Sequence, residues 1–128
     1  MRLFPSLSMI LLMLMAIPSL TLAESPSSDT ATLLFQHQMT AITSSDYEQF
    51  VSHSETAFRQ AITQEQFTAL SKALSGSFAS GYESVNLGVL RQDSLLIHLW
   101  KVTPQQSDTD YLVKMALRDD TIAGFWIQ

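Results

Sequence analysis

The sequence predicts an α+β domain in which N-terminal helices pack on a curved, four-stranded antiparallel meander sheet. Two observations carry this prediction. Apolar residues between Thr30 and Leu74 recur at spacings of three and four, which is typical of amphipathic helices. The segment from Tyr82 to Ile127 instead divides into four β-like runs separated by polar connections. Strands joined by such short connections form an up-and-down antiparallel sheet.

The four predicted strands are Tyr82–Arg91, Leu95–Val102, Tyr111–Arg118 and Thr121–Ile127. Gln92-Asp93 and Asp119-Asp120 are predicted two-residue turns, and Thr103–Thr109 is a longer polar loop. Because side chains alternate across a strand, the apolar residues divide between two faces. One face receives Val85, Leu87, Val89, Leu96, His98, Trp100, Val102, Tyr111, Val113, Met115, Leu117, Ile122 and Trp126, and we expect the helices to cover it.

The opposite face is also rich in apolar residues, namely Leu90, Leu95, Ile97, Leu99, Phe125 and Ile127. A strand that is apolar on both sides is usually covered on both sides. We therefore predict a partner on this face, most simply a second copy of the chain, with the interface at Leu95, Ile97, Leu99, Phe125 and Ile127. In the alternative interpretation, the hairpin register slips by one residue and the two faces exchange roles.

Four helices are predicted before the sheet. The first follows Asp29 or Thr30 and runs for about three turns, to the polar stretch Thr43-Ser44-Ser45. A capping box at Ser45–Glu48 predicts the start of a second helix, and a short third helix holds Phe58. A second box, Thr63–Gln66, begins the fourth helix, which we expect to stop at Gly76 because glycine favours the conformation that ends helices.

The first residues indicate export. Arg2 precedes an uncharged apolar run, Leu7–Ile17, and Thr21-Leu22-Ala23 ends in a small residue, the pattern of a secretory signal peptide. We predict a cleaved leader at residues 1–23, a flexible tether at 24–31 and a single domain at 32–128. The destination is the periplasm or the medium, with no membrane association after cleavage, because the run is shorter than the ~20 residues of a spanning helix.

The composition excludes several classes of function. The chain has 7 Lys and Arg against 12 Asp and Glu, and loss of Arg2 with the leader makes it more acidic still. An acidic chain is not expected to bind nucleic acid. It has no Cys, so disulfides and cysteine-based sites are impossible. No nucleotide-binding, metalloprotease or nucleophile motif is present, and we predict no cofactor, no metal and no assigned catalytic residue.

His98, Trp100 and Tyr47 are the candidate ligand-binding residues. His98 and Trp100 lie two residues apart on the predicted helix-facing side of one strand, where a cleft between sheet and helices can hold a small ligand. The alternative is a half-buried structural histidine that bonds a backbone carbonyl, Tyr47 or Glu48. The other two histidines, at 37 and 53, share no metal-ligand spacing with it.

The motifs Ser45-Asp46-Tyr47-Glu48-Gln49-Phe50, Thr63-Gln64-Glu65-Gln66-Phe67, Gly81-Tyr82-Glu83-Ser84 and Gly124-Phe125-Trp126 resemble those of small exported bacterial domains of the nuclear transport factor 2-like, or cystatin-like, fold. The resemblance covers about residues 32 to 127. It implies a curved sheet wrapped against helices and often paired through the sheet. Enzymes of this fold place an acid and a base inside the cone-shaped pocket that the curved sheet and the helices form. In this sequence, no acidic residue is evident as a catalytic partner of His98.

Two functional hypotheses follow from the sequence. The first is a non-catalytic exported domain that self-associates, or binds a protein or a small apolar ligand, through its sheet. The second is a small-molecule isomerase or hydrolase that uses His98 in a cone-shaped pocket. The fold alone does not decide between them.

Overall fold

The computed structural model describes residues 27–128, which form four helices followed by four strands. The helices are α1 (Ser27–Ser44), α2 (Tyr47–Val51), α3 (Thr56–Ala61) and α4 (Gln64–Phe78), and the strands are β1 (Tyr82–Gln92), β2 (Leu95–Pro104), β3 (Tyr111–Arg118) and β4 (Thr121–Ile127). The strands form one open antiparallel sheet in the order β1-β2-β3-β4. The predicted α+β class and meander are confirmed.

Both tight hairpins turn through an aspartate. In the β3–β4 hairpin, Arg118 pairs with Thr121 around Asp119-Asp120, as predicted. In the β1–β2 hairpin, Gln92 pairs with Leu95, so the turn is Asp93-Ser94 and the predicted turn was one residue early. Asp93 and Asp119 have φ values of 55° and 58°, a region that Asp tolerates better than most residues do.

The helices cover one side of the sheet, which we call the inner face and which carries His98, Trp100, Val113, Met115 and Leu117. These residues are buried, and Phe35 of α1 stacks on Trp100 with ring centroids 4.2 Å apart. The other side is the outer face. The core cluster joins helix residues to inner-face residues, and it leaves Leu95, Ile97 and Leu99 of the outer face outside it. The predicted faces of β2 are therefore confirmed.

Two β-bulges change the predicted faces of β1 and β4. Leu87 is unpaired between Asn86 and Gly88, and Ala123 is unpaired between Ile122 and Gly124. One inserted residue moves every side chain beyond it to the other face.

The predicted faces of five residues are corrected accordingly. Phe125 and Ile127 pair with Met115 and Val113 and pack on the inner-face core, so they do not lie on the outer face. Trp126 moves in the opposite direction and pairs with Lys114 on the outer face. In β1, Val85 pairs with Lys101 on the outer face, and Leu87 lines an outer-face depression with that lysine.

Helix α1 is longer than predicted. It begins at Ser27, so the last five residues of the predicted tether, 27–31, are helical. Residues 24–26 and the predicted leader at 1–23 lie outside the described residues. The helix ends as expected in the serine-rich stretch, where the hydroxyls of Thr43 and Ser44 both donate to the carbonyl of Thr40.

The other helices show one corrected cap, one confirmed cap and one corrected end. Asp46, and not Ser45, caps α2, and its carboxylate accepts from the Gln49 amide. The Thr63 box of α4 is complete, since the Gln66 side chain accepts from the Thr63 amide in return. Helix α4 does not stop at Gly76 but continues to Phe78, whose side chain is buried. Among residues 27–128, no helix has both the length and the apolar character needed to cross a membrane.

Candidate interaction surface

The outer face presents apolar side chains on all four of its strands. Ile97 pairs with Leu90 of β1 and Ala116 of β3, and Leu99 pairs with Lys114 of β3. Leu95, Ile97 and Leu99 are partly exposed. The most exposed large apolar residues of this face are Val85 (50%), Leu87 (55%), Leu90 (47%) and Trp126 (48%). A contiguous apolar patch on a sheet face is a common feature of interaction sites.

Trp126 lies flat on this face because Gly124 leaves room for it. A Cβ atom placed on Gly124 would overlap the indole ring, with Cζ3 at 2.8 Å. The Lys114 ammonium lies 5.6 Å from the ring centroid, within reach of a cation–π interaction. The glycine and the lysine thus hold a half-exposed indole in one position on the outer face.

A depression of about 260 Å³ opens at the end of the outer face near the chain terminus. Leu87 and Leu112 form its apolar wall, and Lys101 contributes a cation. Its remaining lining residues are Asp110, Tyr111 and Gln128. Leu87 enters this site only because it is the bulged residue of β1. The outer face is therefore uneven, because this hollow opens at one end of it.

His98 and Trp100 lie together but are closed off from solvent. Their rings are 5.9 Å apart and nearly parallel, and each side chain is 3% exposed. His98 Nε2 is buried and has no hydrogen-bond partner among the described residues. Burial lowers the pKa of His98 from its ordinary value of 6.5, because the charged imidazolium loses its hydration. His98 lines neither the outer-face depression nor the hollow beside the β2–β3 loop.

The contacts described for Tyr47 involve neither His98 nor Trp100. Its hydroxyl donates to the carbonyl of Ile62 at 2.8 Å, and its ring packs against Phe67 at 5.8 Å. The residue ties α2 to the end of α3. The structure therefore brings two of the three candidate ligand-binding residues together, and Phe35 fills the space over Trp100 where a ligand was expected.

Two further polar features lie outside the apolar part of the outer face. His37 and His53 approach to 4.7 Å between ring centroids, and His37 Nε2 donates to the carbonyl of Gln49 at 2.8 Å. Over residues 27–128, no group of three or more metal-ligating side chains comes together. A second hollow of about 250 Å³ lies beside the β2–β3 loop between Glu83 and Gln105.

Alternation alone missed three outer-face residues, namely Val85, Leu87 and Trp126. A signal was present at each bulge, because each unpaired residue directly precedes a glycine, Gly88 or Gly124. An isolated glycine inside a strand pattern is a known indicator of a bulge.

No protein-family model matches the chain, and no curated protein matches it significantly.

Proposed function

We propose that the protein is an exported, non-catalytic interaction domain that binds a second copy of itself through the outer face of its sheet. The observation that carries this proposal is the exposed apolar surface of that face, from Leu90 through Ile97 to Trp126. Covering such a surface is favourable by roughly 25 cal/mol for each Å² of apolar area removed from water. The helices cannot supply this cover, since they occupy the inner face.

The size of the face suits a dimer contact. Four strands of 11, 10, 8 and 7 residues, spaced about 4.8 Å apart at about 3.4 Å per residue, give a footprint of roughly 19 by 30 Å. This planar area of roughly 570 Å² is about two-thirds of the ~800 Å² that each partner contributes to a standard interface. The outer face is thus large enough to form most of a stable contact.

The two lysines on the outer face are compatible with this contact. Lys101 and Lys114 can lay their aliphatic stems on the apolar surface while their ammonium groups reach the rim. Lys101 is exposed at the edge of the depression, and Lys114 lies over the Trp126 ring. Interfaces commonly combine an apolar and aromatic centre with a charged rim.

Export is part of the same proposal and rests on the leader pattern of residues 1–23. The architecture is compatible with the nuclear transport factor 2-like fold, whose members are often paired through the sheet. Intact mass spectrometry of protein recovered from an exporting bacterial host tests the leader. We expect a mature chain that begins at Glu24, and recovery of the uncut chain in the cytoplasm would contradict export.

The enzyme hypothesis has weaker geometric support. A catalytic imidazole must reach a substrate, and the His98 side chain is 3% exposed beneath the helices. We therefore retain the interaction domain as the proposed function.

The test is a pair of lysine substitutions on the outer face, Ile97→Lys with Leu99→Lys. Light scattering coupled to size exclusion should show that this variant has lost the contact while its circular dichroism remains that of the parent. Leu33→Lys is the matched control, because Leu33 is an exposed apolar residue of α1 on the opposite side of the molecule, and it should leave the molar mass unchanged. A parent protein that is already monomeric at high concentration overturns the proposal.

A further inference from the structure

The two edges of the sheet differ in their cover. At the β4 edge, residues 53–55 run alongside the strand: the Ile122 amide donates to the His53 carbonyl at 2.8 Å, and the Glu55 amide donates to the Ile122 carbonyl at 2.9 Å. At the β1 edge, β2 is the neighbouring strand on one side, and among residues 27–128 no strand pairs on the other. An uncovered edge is a template for another strand.

β1 is apolar on both of its sides. Val89 pairs with the buried His98 and so lies toward the inner face, whereas Leu90 pairs with Ile97 on the outer face. Their side chains are 48% and 47% exposed. A copy packed on the outer face can cover Leu90 but not Val89. A strand laid along the edge covers both residues at once.

The backbone of β1 also has unpaired groups along this edge. In a two-residue hairpin, the pair that closes the loop is hydrogen-bonded, and here that pair is Gln92 and Leu95. Alternation then directs the amide and carbonyl groups of Val89 and Arg91 away from β2. Backbone groups that become buried require hydrogen-bond partners, and only another extended backbone supplies a matching row. This requirement excludes a lipid, a small apolar ligand or a helix as the occupant.

We propose that β1 pairs antiparallel with β1 of a second copy, which extends the sheet to eight strands. Antiparallel pairing about a two-fold axis keeps the inner faces of both copies on the same side of the extended sheet, so Val89 of each copy meets the inner face of the other and Leu90 meets its outer face. Glu83 lies on the outer face opposite Thr103, and Arg91 lies on the inner face opposite Leu96, so these two charges do not oppose each other across the contact. The direction of pairing therefore rests on symmetry and on the row of outward backbone groups.

The symmetry of the contact supports the same partner. Pairing of β1 with β4 of another copy would be head-to-tail and would propagate as a fibre, and residues 53–55 obstruct it at Ile122. Pairing of β1 with β1 closes on itself around a two-fold axis. This contact uses Val89 and the outward backbone groups of β1, which the outer-face contact does not cover, and the two contacts share Leu90. Together, the two contacts assemble a tetramer with D2 symmetry from two eight-stranded sheets packed through their outer faces.

The experiment measures molar mass for substitutions that act on each contact separately. Val89→Lys places a charge at the edge, and Arg91→Pro removes an outward amide without altering the apolar residues. We expect the parent to be a tetramer, each edge variant to be half its mass, and either edge variant combined with Ile97→Lys and Leu99→Lys to be monomeric. Circular dichroism and the thermal midpoint establish that each variant is folded, and Leu33→Lys again serves as the control.

The outcomes separate the two proposals. A folded edge variant with half the mass of the parent supports the β1 contact. A parent dimer that only the edge substitutions dissociate also supports the β1 contact, but it overturns the outer-face contact. A parent dimer that only Ile97→Lys with Leu99→Lys dissociates overturns the β1 contact and leaves the proposed function intact. A parent that is monomeric at every concentration overturns both. Leu90→Pro checks the hairpin register, because its inward amide bonds β2 and its loss should lower stability.

Discussion

Strands β1 and β3 belong to the same sheet and carry five and six apolar residues among 11 and 8 positions, yet their environments are opposite. In β3, Val113, Met115, Ala116 and Leu117 are all buried, whereas in β1 every residue from Glu83 to Leu87 is exposed. β3 has a strand on both sides and helices above it, while β1 contacts the helices at its first residue, Tyr82, and is exposed from Glu83 to Leu87. The difference shows that apolar residues in a strand do not by themselves determine whether the helical layer covers them.

The sharpest test of this contrast is a pair of identical truncations. Leu117→Ala should lower the free energy of unfolding by about 2–5 kcal/mol, because it opens a cavity in the core beneath the helices. Leu90→Ala should change it by less than about 0.5 kcal/mol, since that side chain is half exposed in the single chain. Chemical denaturation at low protein concentration measures both values. Equal costs would contradict the assignment of β1 as the uncovered strand.

Gly124→Ala tests whether glycine holds Trp126 on the outer face. The new methyl group overlaps the indole, so the ring must turn away at a cost of about 0.5–1.5 kcal/mol. Iodide quenching of tryptophan fluorescence should increase, because Trp126 becomes more exposed while Trp100 stays buried. The double variant Gly124→Ala with Trp126→Ala should recover the lost stability. Unchanged quenching in the single variant would refute this role of the glycine.

The contribution of residues 53–55 to stability at the β4 edge can be measured by removing one backbone hydrogen bond. Glu55→Pro removes the amide that donates to Ile122, and the φ of −67° at this position suits proline. Glu55→Ala is the matched control, because it also loses the ion pair with Arg118 but keeps the amide. We expect the proline variant to be less stable than the alanine variant by about 1 kcal/mol in urea denaturation. The two variants should be equally stable if residues 53–55 do not cover this edge.

The smallest effect concerns His98, the buried partner of the exposed Val89. Burial lowers its pKa, so the unfolded chain takes up a proton at a pH where the folded chain does not. Stability is therefore greatest above pH ~6.5 and falls as the pH drops from there toward the lowered value. His98→Gln should flatten this part of the stability profile, measured as thermal midpoint against pH. His53→Gln is the control at an exposed histidine, and the same flattening there would contradict the assignment.

The features that could be predicted from the sequence are those that local chemistry decides. Alternation located the two faces of β2, the aspartate pair located the β3–β4 turn, and the Thr63–Gln66 box located the start of α4. The misassigned faces of Phe125, Ile127 and Trp126 trace to one bulge at Ala123, because a single inserted residue reverses every later assignment.

The candidate site was predictable in its location but not in its details. The apolar outer face of β2 follows from the sequence, whereas the exposure of β1 depends on how far the helices extend over the sheet. That reach is a tertiary property with no local signal. The burial of Trp100 beneath Phe35 is another such property, because α1 and β2 are distant in the chain and their contact depends on how the helices pack.

The central claim is that second copies of the chain cover the sheet surfaces that the helices leave exposed. Its most direct test is sedimentation equilibrium of the mature protein from low to high micromolar concentration. We predict a weight-average mass that rises above that of one chain and reaches a plateau at a closed oligomer, with Ile97→Lys and Leu99→Lys shifting the transition to higher concentration. A mass equal to that of one chain over the whole range would contradict the account.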